Sequence, residues 1–180
     1  IRGPLVSRTL ESLQNEVAGL VSKGVKEINL VAQDTTSYGM DLYGRPMLLD
    51  LLKVLTAIEG HFRIRVLYSY PKHFTNELIE FIGTDPKICK YVDIPLQHVH
   101  DDLLRSMRRP DRRADIERLI DKLRAVMPDI AIRTTFIVGL PGESEEHYQE
   151  LRTFVEEKRI DHVGVFQYSP EEGTDAAGFG

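Results

Sequence analysis

INLVAQDTTSYG, residues 28–39, is the stretch on which the reading of this chain turns. An apolar run, Ile28-Asn29-Leu30-Val31-Ala32, breaks abruptly into polar and small residues carrying almost every kind of hydrogen-bonding side chain. A strand that ends this way presents chemistry at a sheet edge rather than merely turning. The same break recurs at LYSYP (67–71), IPLQH (94–98), VGLPGE (138–143) and FQYSPEEGT (166–174). Polar strand exits separated by helical stretches point to one active face.

Between the exits the apolar residues fall at helical spacing. Leu10, Leu13, Val17, Leu20 and Val21 predict a helix stopped by Gly24, and a strand follows over Val25–Gln33. Pro46 opens a second helix with Leu48, Leu49, Leu52, Val54 and Leu55 inside and Gly60 as its stop. The pattern continues with strand Phe62–Tyr70, helix Thr75–Ile82 and strand Tyr91–Leu96. Helices Asp101–Met107 and Arg112–Met127, divided by Pro110, lead to strand Ile130–Val138. Helix Ser144–Lys158, with Ser144 as N-cap, and strand His162–Tyr168 complete it, and residues 173–180 read as an irregular, exposed tail.

Five strands with helical crossovers predict an α/β fold with a parallel sheet. A doubly wound open sheet and part of a (β/α) barrel both fit. The barrel is preferred because functional-looking residues follow every strand, not one switch point.

Composition narrows the class. A chain of 180 residues with 42% hydrophobic and 28% charged content forms one ordinary globular domain. The net charge of −5 argues against a general nucleic-acid binder. No apolar run approaches the roughly 18 residues of a membrane span, so no membrane is expected. The single cysteine, Cys89, excludes an internal disulfide framework, suits a cytoplasmic location and reads as a small buried residue rather than a nucleophile. The chain opens on Ile1 rather than methionine, as a processed or internal segment would.

Period-two reading places Arg133, Thr135 and Ile137 on one strand face; Arg65, Leu67 and Ser69, and Asp93, Pro95 and Gln97, share faces in the same way. A barrel interior does not hold Arg65, Asp93 and Arg133 without pairing or a ligand. Structural ion pairs are one explanation; a ligand bearing a carboxylate or a sulfonium is the other. VGLPGES at 138–144 joins a strand to a helix N-terminus, where glycines let backbone approach a ligand, yet it lacks both the phosphate-loop and the dinucleotide spacing. His98 and His100 lack a third metal ligand at sensible spacing, so hydrogen-bonded loop residues are expected. Arg105, Arg108, Arg109, Arg112 and Arg113 interleave with Asp101, Asp102, Asp111 and Asp115, which favours a solvated helix face over a nucleic-acid contact.

Taken in order, IRG (1–3), SR (7–8), GVKEINLVAQDTTSYG (24–39), DLYG (41–44), LYSYP, YVDIPLQH (91–98), RTTFIVGLPGE (133–143) and VFQYSPEEGT (165–174) closely resemble the radical S-adenosylmethionine methylthiotransferases. AQDTTSYG, LYSYP, DIPLQH and YSPEEGT are similar to the branch that acts on ribosomal protein; Asp34-Thr35-Thr36 and His98-Val99-His100 stand where the transfer-RNA branch carries other residues.

The resemblance implies strands two to six of a six-stranded open barrel. It also implies S-adenosylmethionine as cofactor and two 4Fe–4S clusters, one of them held by a Cys-x3-Cys-x2-Cys loop after the first strand. The implied reaction is methylthiolation of the β-carbon of an aspartate in the twelfth protein of the small ribosomal subunit, with an electron donor such as flavodoxin.

This sequence has no such cysteine motif. The resemblance therefore implies a core lacking its first strand, its cluster loop, the N-terminal methylthiotransferase domain and the C-terminal RNA-binding-like domain. Such a piece is expected to be inactive alone and poorly soluble along its unpaired edge.

By resemblance, Gln33 and Asp34 face the methionine moiety, Ser69 and Gln97 are polar positions at the next two exits, and Arg133 and Thr135 point inward. Val138, Gly139 and Pro141 flank the adenine, with Phe166 and Tyr168 near it, and Glu143 anchors its loop. No metal ligand is expected within the chain. A transfer-RNA methylthiotransferase core and a cluster-free ribosome- or RNA-binding module acting through Arg105–Arg113 are the alternatives.

Overall fold

The computed structural model describes residues 3–170. In chain order the regular elements are α1 (Leu10–Ser22), β1 (Glu27–Leu30), α2 (Met40–Tyr43), α3 (Leu48–Thr56), β2 (Arg63–Val66), α4 (Asn76–Thr84), β3 (Tyr91–Asp93), α5 (Asp101–Ser106), α6 (Arg113–Val126), β4 (Ala131–Val138), α7 (Glu145–Glu157) and β5 (His162–Gln167). The tail and the end of YSPEEGT lie outside the described residues.

Local chemistry sets several boundaries. Thr9 caps α1 through Ser12 N, and Gly24, at φ +90°, turns the chain out of that helix as its N–H donates to Val21 O (2.9 Å). Ser144 and His147 form a reciprocal capping box on α7, with Glu145 and Glu146 in the first turn. The four-residue α2, flanked by two left-handed glycines, has no counterpart in the sequence reading.

All the strand pairs are parallel: β1 with β2, β3 with β4, and β4 with β5. The seam between β2 and β3 is too short for a ladder, but Ile64 N donates to Lys87 O (2.7 Å), Cys89 N to Ile64 O (2.9 Å) and Ser69 N to Asp93 O (2.8 Å). Neighbours therefore follow chain order from β1 to β5. That progression, without the reversal of a doubly wound sheet, is a partial (β/α) barrel, as preferred from the sequence.

Three strands are shorter than expected. β1, β2 and β3 leave the ladder at Leu30, Val66 and Asp93, because their exits turn early. Tyr68 and Gln97 adopt φ of +55° and +70°, and Pro71 opens a 3-10 turn. Non-glycine residues in the left-handed region are uncommon, and both of these border the cavity described below.

Alternation divides the sheet into two unlike faces. Ile28, Ile64, Val66, Val92, Ile132 and Phe136 pack outward against Val17, Leu52, Leu55, Ile79, Ile120, Leu123 and Phe154 of the helices, all in one buried cluster. Thr134 lies in that layer at 0% exposure; its Oγ1 donates to Ile94 O (2.8 Å) and accepts from Leu96 N (3.3 Å). The inward face carries the charged residues.

Candidate active site

The inward face is built in layers. At the base, Arg65 donates from Nε to Glu27 Oε1 (2.8 Å), and its guanidinium carbon lies 4.7 Å from the centre of the Tyr91 ring. That hydrogen bond holds the Glu27 carboxyl below its ordinary range. Arg65 is thus a structural ion pair, the first of the two explanations open for it.

One layer higher, Arg133 Nη1 donates to Asp93 Oδ1 (2.8 Å), and Asp93 Oδ2 accepts from Tyr68 N (3.4 Å). Asp93 is 1% exposed, whereas the Arg133 side chain remains 38% exposed at the edge of the open space above. The hydrogen bond to Asp93 raises the Arg133 guanidinium further above its ordinary value. A buried carboxylate that keeps its charge needs this partner.

Above these layers a cavity of about 390 Å³ opens at the C-terminal ends of the strands. Gln33, Asp34, Ser69, Gln97, Arg133, Thr135 and Phe166 line it, from four strand exits and the inward face of β4. Gln97 keeps its main chain in register with β4, donating to Thr135 O (2.8 Å) and accepting from Ile137 N (2.8 Å), while its positive φ turns the residue towards the cavity. The site is concave, lined by hydrogen-bonding side chains between the aromatic rings of Tyr68, Tyr70 and Phe166, with a volume suited to a small cofactor.

Asp34 borders the cavity, but its carboxylate serves the loop. It accepts from Thr36 N (3.0 Å) and Ser37 N (3.2 Å), from both neighbouring hydroxyls, and lies 3.6 Å from His73 Nδ1. The loop is also tied to the next exit. Thr35 donates from its hydroxyl to Leu67 O and from its N–H to Tyr68 O (2.9 Å), and Thr36 Oγ1 accepts from Tyr70 N (3.0 Å).

Val138 and Gly139 border a separate, more open depression with Glu143, Ser144 and Tyr148. Pro141 lines neither space, and Tyr168 is placed by its N–H donating to Val138 O (2.8 Å). Glu143 does anchor its loop. Its Oε2 accepts from Gly139 N and from Leu140 N (3.0 Å), and its Oε1 lies 3.4 Å from His98 Nε2.

His98, fully buried, accepts from His100 N at Nδ1 (2.9 Å), so its proton resides on Nε2 and faces Glu143. Burial pushes the imidazole below its ordinary pKa, against the pull of Glu143. His100 accepts from Asp102 N at the start of α5 (3.3 Å). Both histidines are hydrogen-bonded loop residues, as expected.

Sequence reasoning missed Tyr68, Tyr70, Pro95 and Arg109, which complete the cavity lining. For Arg109 this is a correction: it does not lie on a solvated helix face. α5 ends at Ser106, Arg108 turns at φ +57°, and Arg109 points into the cavity with its guanidinium carbon 5.1 Å from the Tyr70 ring centre and Nη2 donating to Pro95 O (3.0 Å). The signal available was Pro110, because the residue before a proline is disfavoured in helical conformation. Burial, together with the hydrogen bond to and charge of Asp111, pushes the Tyr70 phenol up to about 12. Arg105 and Arg113 stay with local acids, Asp102, Glu117 and Glu150. Cys89 is half-buried rather than buried.

A parallel partial barrel with a polar cavity at its strand exits is the architecture of radical S-adenosylmethionine enzymes, and residues 1–155 match the Radical SAM superfamily. The chain belongs to that superfamily. The fold agrees with a radical S-adenosylmethionine methyltransferase, TsrM, from Kitasatospora setae solved with tryptophan and an S-adenosylmethionine analogue (TM-score 0.69, 17% identity, 88% of this chain and 30% of that one). It agrees also with Streptococcus suis SuiB bound to S-adenosylmethionine (TM-score 0.63, 17% identity, 96% and 36%).

Among curated proteins the chain is similar to ribosomal protein uS12 methylthiotransferase RimO. The Desulforamulus reducens protein is 54% identical over 177 residues, 98% of this chain and 40% of that one. The Heliobacterium modesticaldum protein is 52% identical over 176 residues, 98% and 38%. The methylthiotransferase resemblance read from the motifs is borne out, and the chain spans about 40% of the length of the curated relatives it matches.

The residues fit the two implied groups differently. Gln33, Ser69, Gln97 and Thr135 offer hydrogen bonds, and Phe166 an apolar surface, for S-adenosylmethionine. For a cluster the chain offers one cysteine, and no group of three or more metal-ligating side chains occurs among the described residues. An iron–sulfur cluster does not fit the residues present.

Proposed function

We propose that this chain forms the S-adenosylmethionine-binding lumen of a longer enzyme that methylthiolates the β-carbon of an aspartate in ribosomal protein uS12. The observation that carries the reading is about 50% identity to uS12 methylthiotransferases over nearly the whole chain. When bound, S-adenosylmethionine would supply a transferable methyl group and, after one-electron reduction, the means of abstracting hydrogen from carbon.

The chain's own residues bind and orient. Gln33, Ser69, Gln97 and Thr135 present hydrogen-bonding groups around the cavity, Phe166 offers a stacking surface, and the Glu143 anchor fixes the Val138–Pro141 loop in place for the adenine. Asp34 acts one step back, holding the loop that carries Gln33. Both 4Fe–4S clusters, the N-terminal methylthiotransferase domain and the C-terminal RNA-binding-like domain would belong to the rest of the longer protein. Its setting would be the cytoplasm, beside the ribosome, with a one-electron donor such as flavodoxin; no described helix is long and apolar enough to cross a membrane.

The binding-module alternative loses ground because Arg109 belongs to the cavity and Arg105 and Arg113 are paired. Mass spectrometry of uS12 and of transfer RNA from a strain deleted for the full gene tests the reading. Loss of the modification on the uS12 aspartate supports it; intact uS12 with altered transfer RNA moves the substrate to the other branch.

A further inference from the structure

Two guanidinium groups face the cavity, and they are not equivalent. Arg133 gives a 2.8 Å hydrogen bond to the buried Asp93, and drawing it away would strand that carboxylate. Arg109 also stands beside a buried acid, Asp111, but is held to it more loosely. Its hydrogen bond goes to a neutral carbonyl, Pro95 O. Its nearest acid, Asp111, stands 3.7 Å from Nε, and both that nitrogen and Asp111 Oδ2 are buried without a hydrogen-bond partner. The Tyr70 ring lies alongside and holds the planar group in place, with the side chain 18% exposed. A rigid fork of five donors with most of them uncommitted, inside a concave site, is preorganised for a carboxylate.

We infer that Arg109 is the carboxylate-recognising residue of the cavity, gripping an amino-acid carboxylate in a bidentate fashion. The inference rests on the methylthiotransferase reading, which supplies two carboxylates: that of the methionyl part of S-adenosylmethionine, and the side chain of the substrate aspartate, one bond from the carbon to be modified. The arrangement around Tyr70 and Pro95 reads either one with the same chemistry.

The test uses the full-length, cluster-reconstituted protein with Arg109→Lys, Arg109→Gln/Asp111→Asn and Asp111→Asn alone. The double variant removes the stranded acid, so that loss of folding does not masquerade as loss of recognition. Equilibrium dialysis compares S-adenosylmethionine with its decarboxylated analogue; competition binding compares uS12 with uS12 carrying asparagine at the target. Losing a bidentate, partly enclosed pair weakens the carboxylate form about 30-fold or more. If S-adenosylmethionine weakens and the preference over its decarboxylated analogue disappears, Arg109 reads the cofactor. If uS12 weakens and its preference over the asparagine form disappears, Arg109 reads the substrate. Both preferences surviving within about 3-fold in the lysine and double variants, which must fold as judged by circular dichroism, overturns the inference. A full-length protein that binds S-adenosylmethionine but modifies no uS12 refutes the function while the dialysis arm still reports on Arg109.

Discussion

Replacing Glu143 by glutamine tests the loop anchor most sharply, because it changes one atom and no volume. The carboxylate receives Gly139 N and Leu140 N on one oxygen and faces His98 Nε2 with the other, its side chain 6% exposed. A glutamine has one oxygen to give. With that oxygen on the two backbone donors, its amide nitrogen meets the His98 Nε2–H. Moving the His98 proton to Nδ1 does not help, because Nδ1 already accepts from His100 N at 2.9 Å. One donor-against-donor contact is unavoidable.

The lost charge and the frustrated donor together cost about 2 kcal/mol. With a urea m-value of about 2 kcal/mol/M for a chain of this size, the unfolding midpoint falls by about 1 M. Amide exchange at Gly139 and Leu140 quickens with it, and His98→Gln in the glutamine background recovers part of the loss by bringing an oxygen to the position of Nε2. A glutamine variant with a midpoint within about 0.2 M of the parent and unchanged protection at those amides would refute the anchor.

Three further expectations follow the same logic. Arg133→Met strands the buried Asp93 and lowers stability by about 2 kcal/mol, discounted for the partly exposed arginine, and adding Asp93→Asn restores part of it in urea unfolding. Thr134→Val breaks the hydroxyl bridge to Ile94 O and Leu96 N and costs about 1–2 kcal/mol without a change in m-value. The depressed His98 imidazole contributes stability above the ordinary histidine range, near 6.5, that is lost as pH falls through its lower folded value; proton NMR of His98 should hold the neutral shift well below pH 6.5, and an ordinary titration would contradict the burial argument.

Much of the architecture was legible in the sequence because helical spacing and strand exits alternate so regularly. Strand lengths were not. Residues 31–33, 67–70 and 94–96 continue the apolar or extended character of their strands after the ladder has ended, and left-handed turns at Tyr68 and Gln97 cannot be read from side-chain patterning. Charges on the inward face were visible, but their partners depended on register: Glu27 stands opposite Arg63 and yet pairs diagonally with Arg65. Arg109 was hidden for a similar reason. Its sequence neighbours suggested a surface helix, and only the early end of α5 turns it inward.

The threonines that stitch the β1 exit to the β2 exit set different rules of inheritance for the two loops. Thr35 and Thr36 contribute their side chains, whereas the Leu67–Tyr70 segment answers with main-chain atoms alone. A lineage can therefore exchange side chains in the second loop and keep the stitch, but it cannot lose the hydroxyl at either threonine position without loosening the rim. New specificity has room to arise on the Leu67–Tyr70 side, with the threonine side as the fixed template.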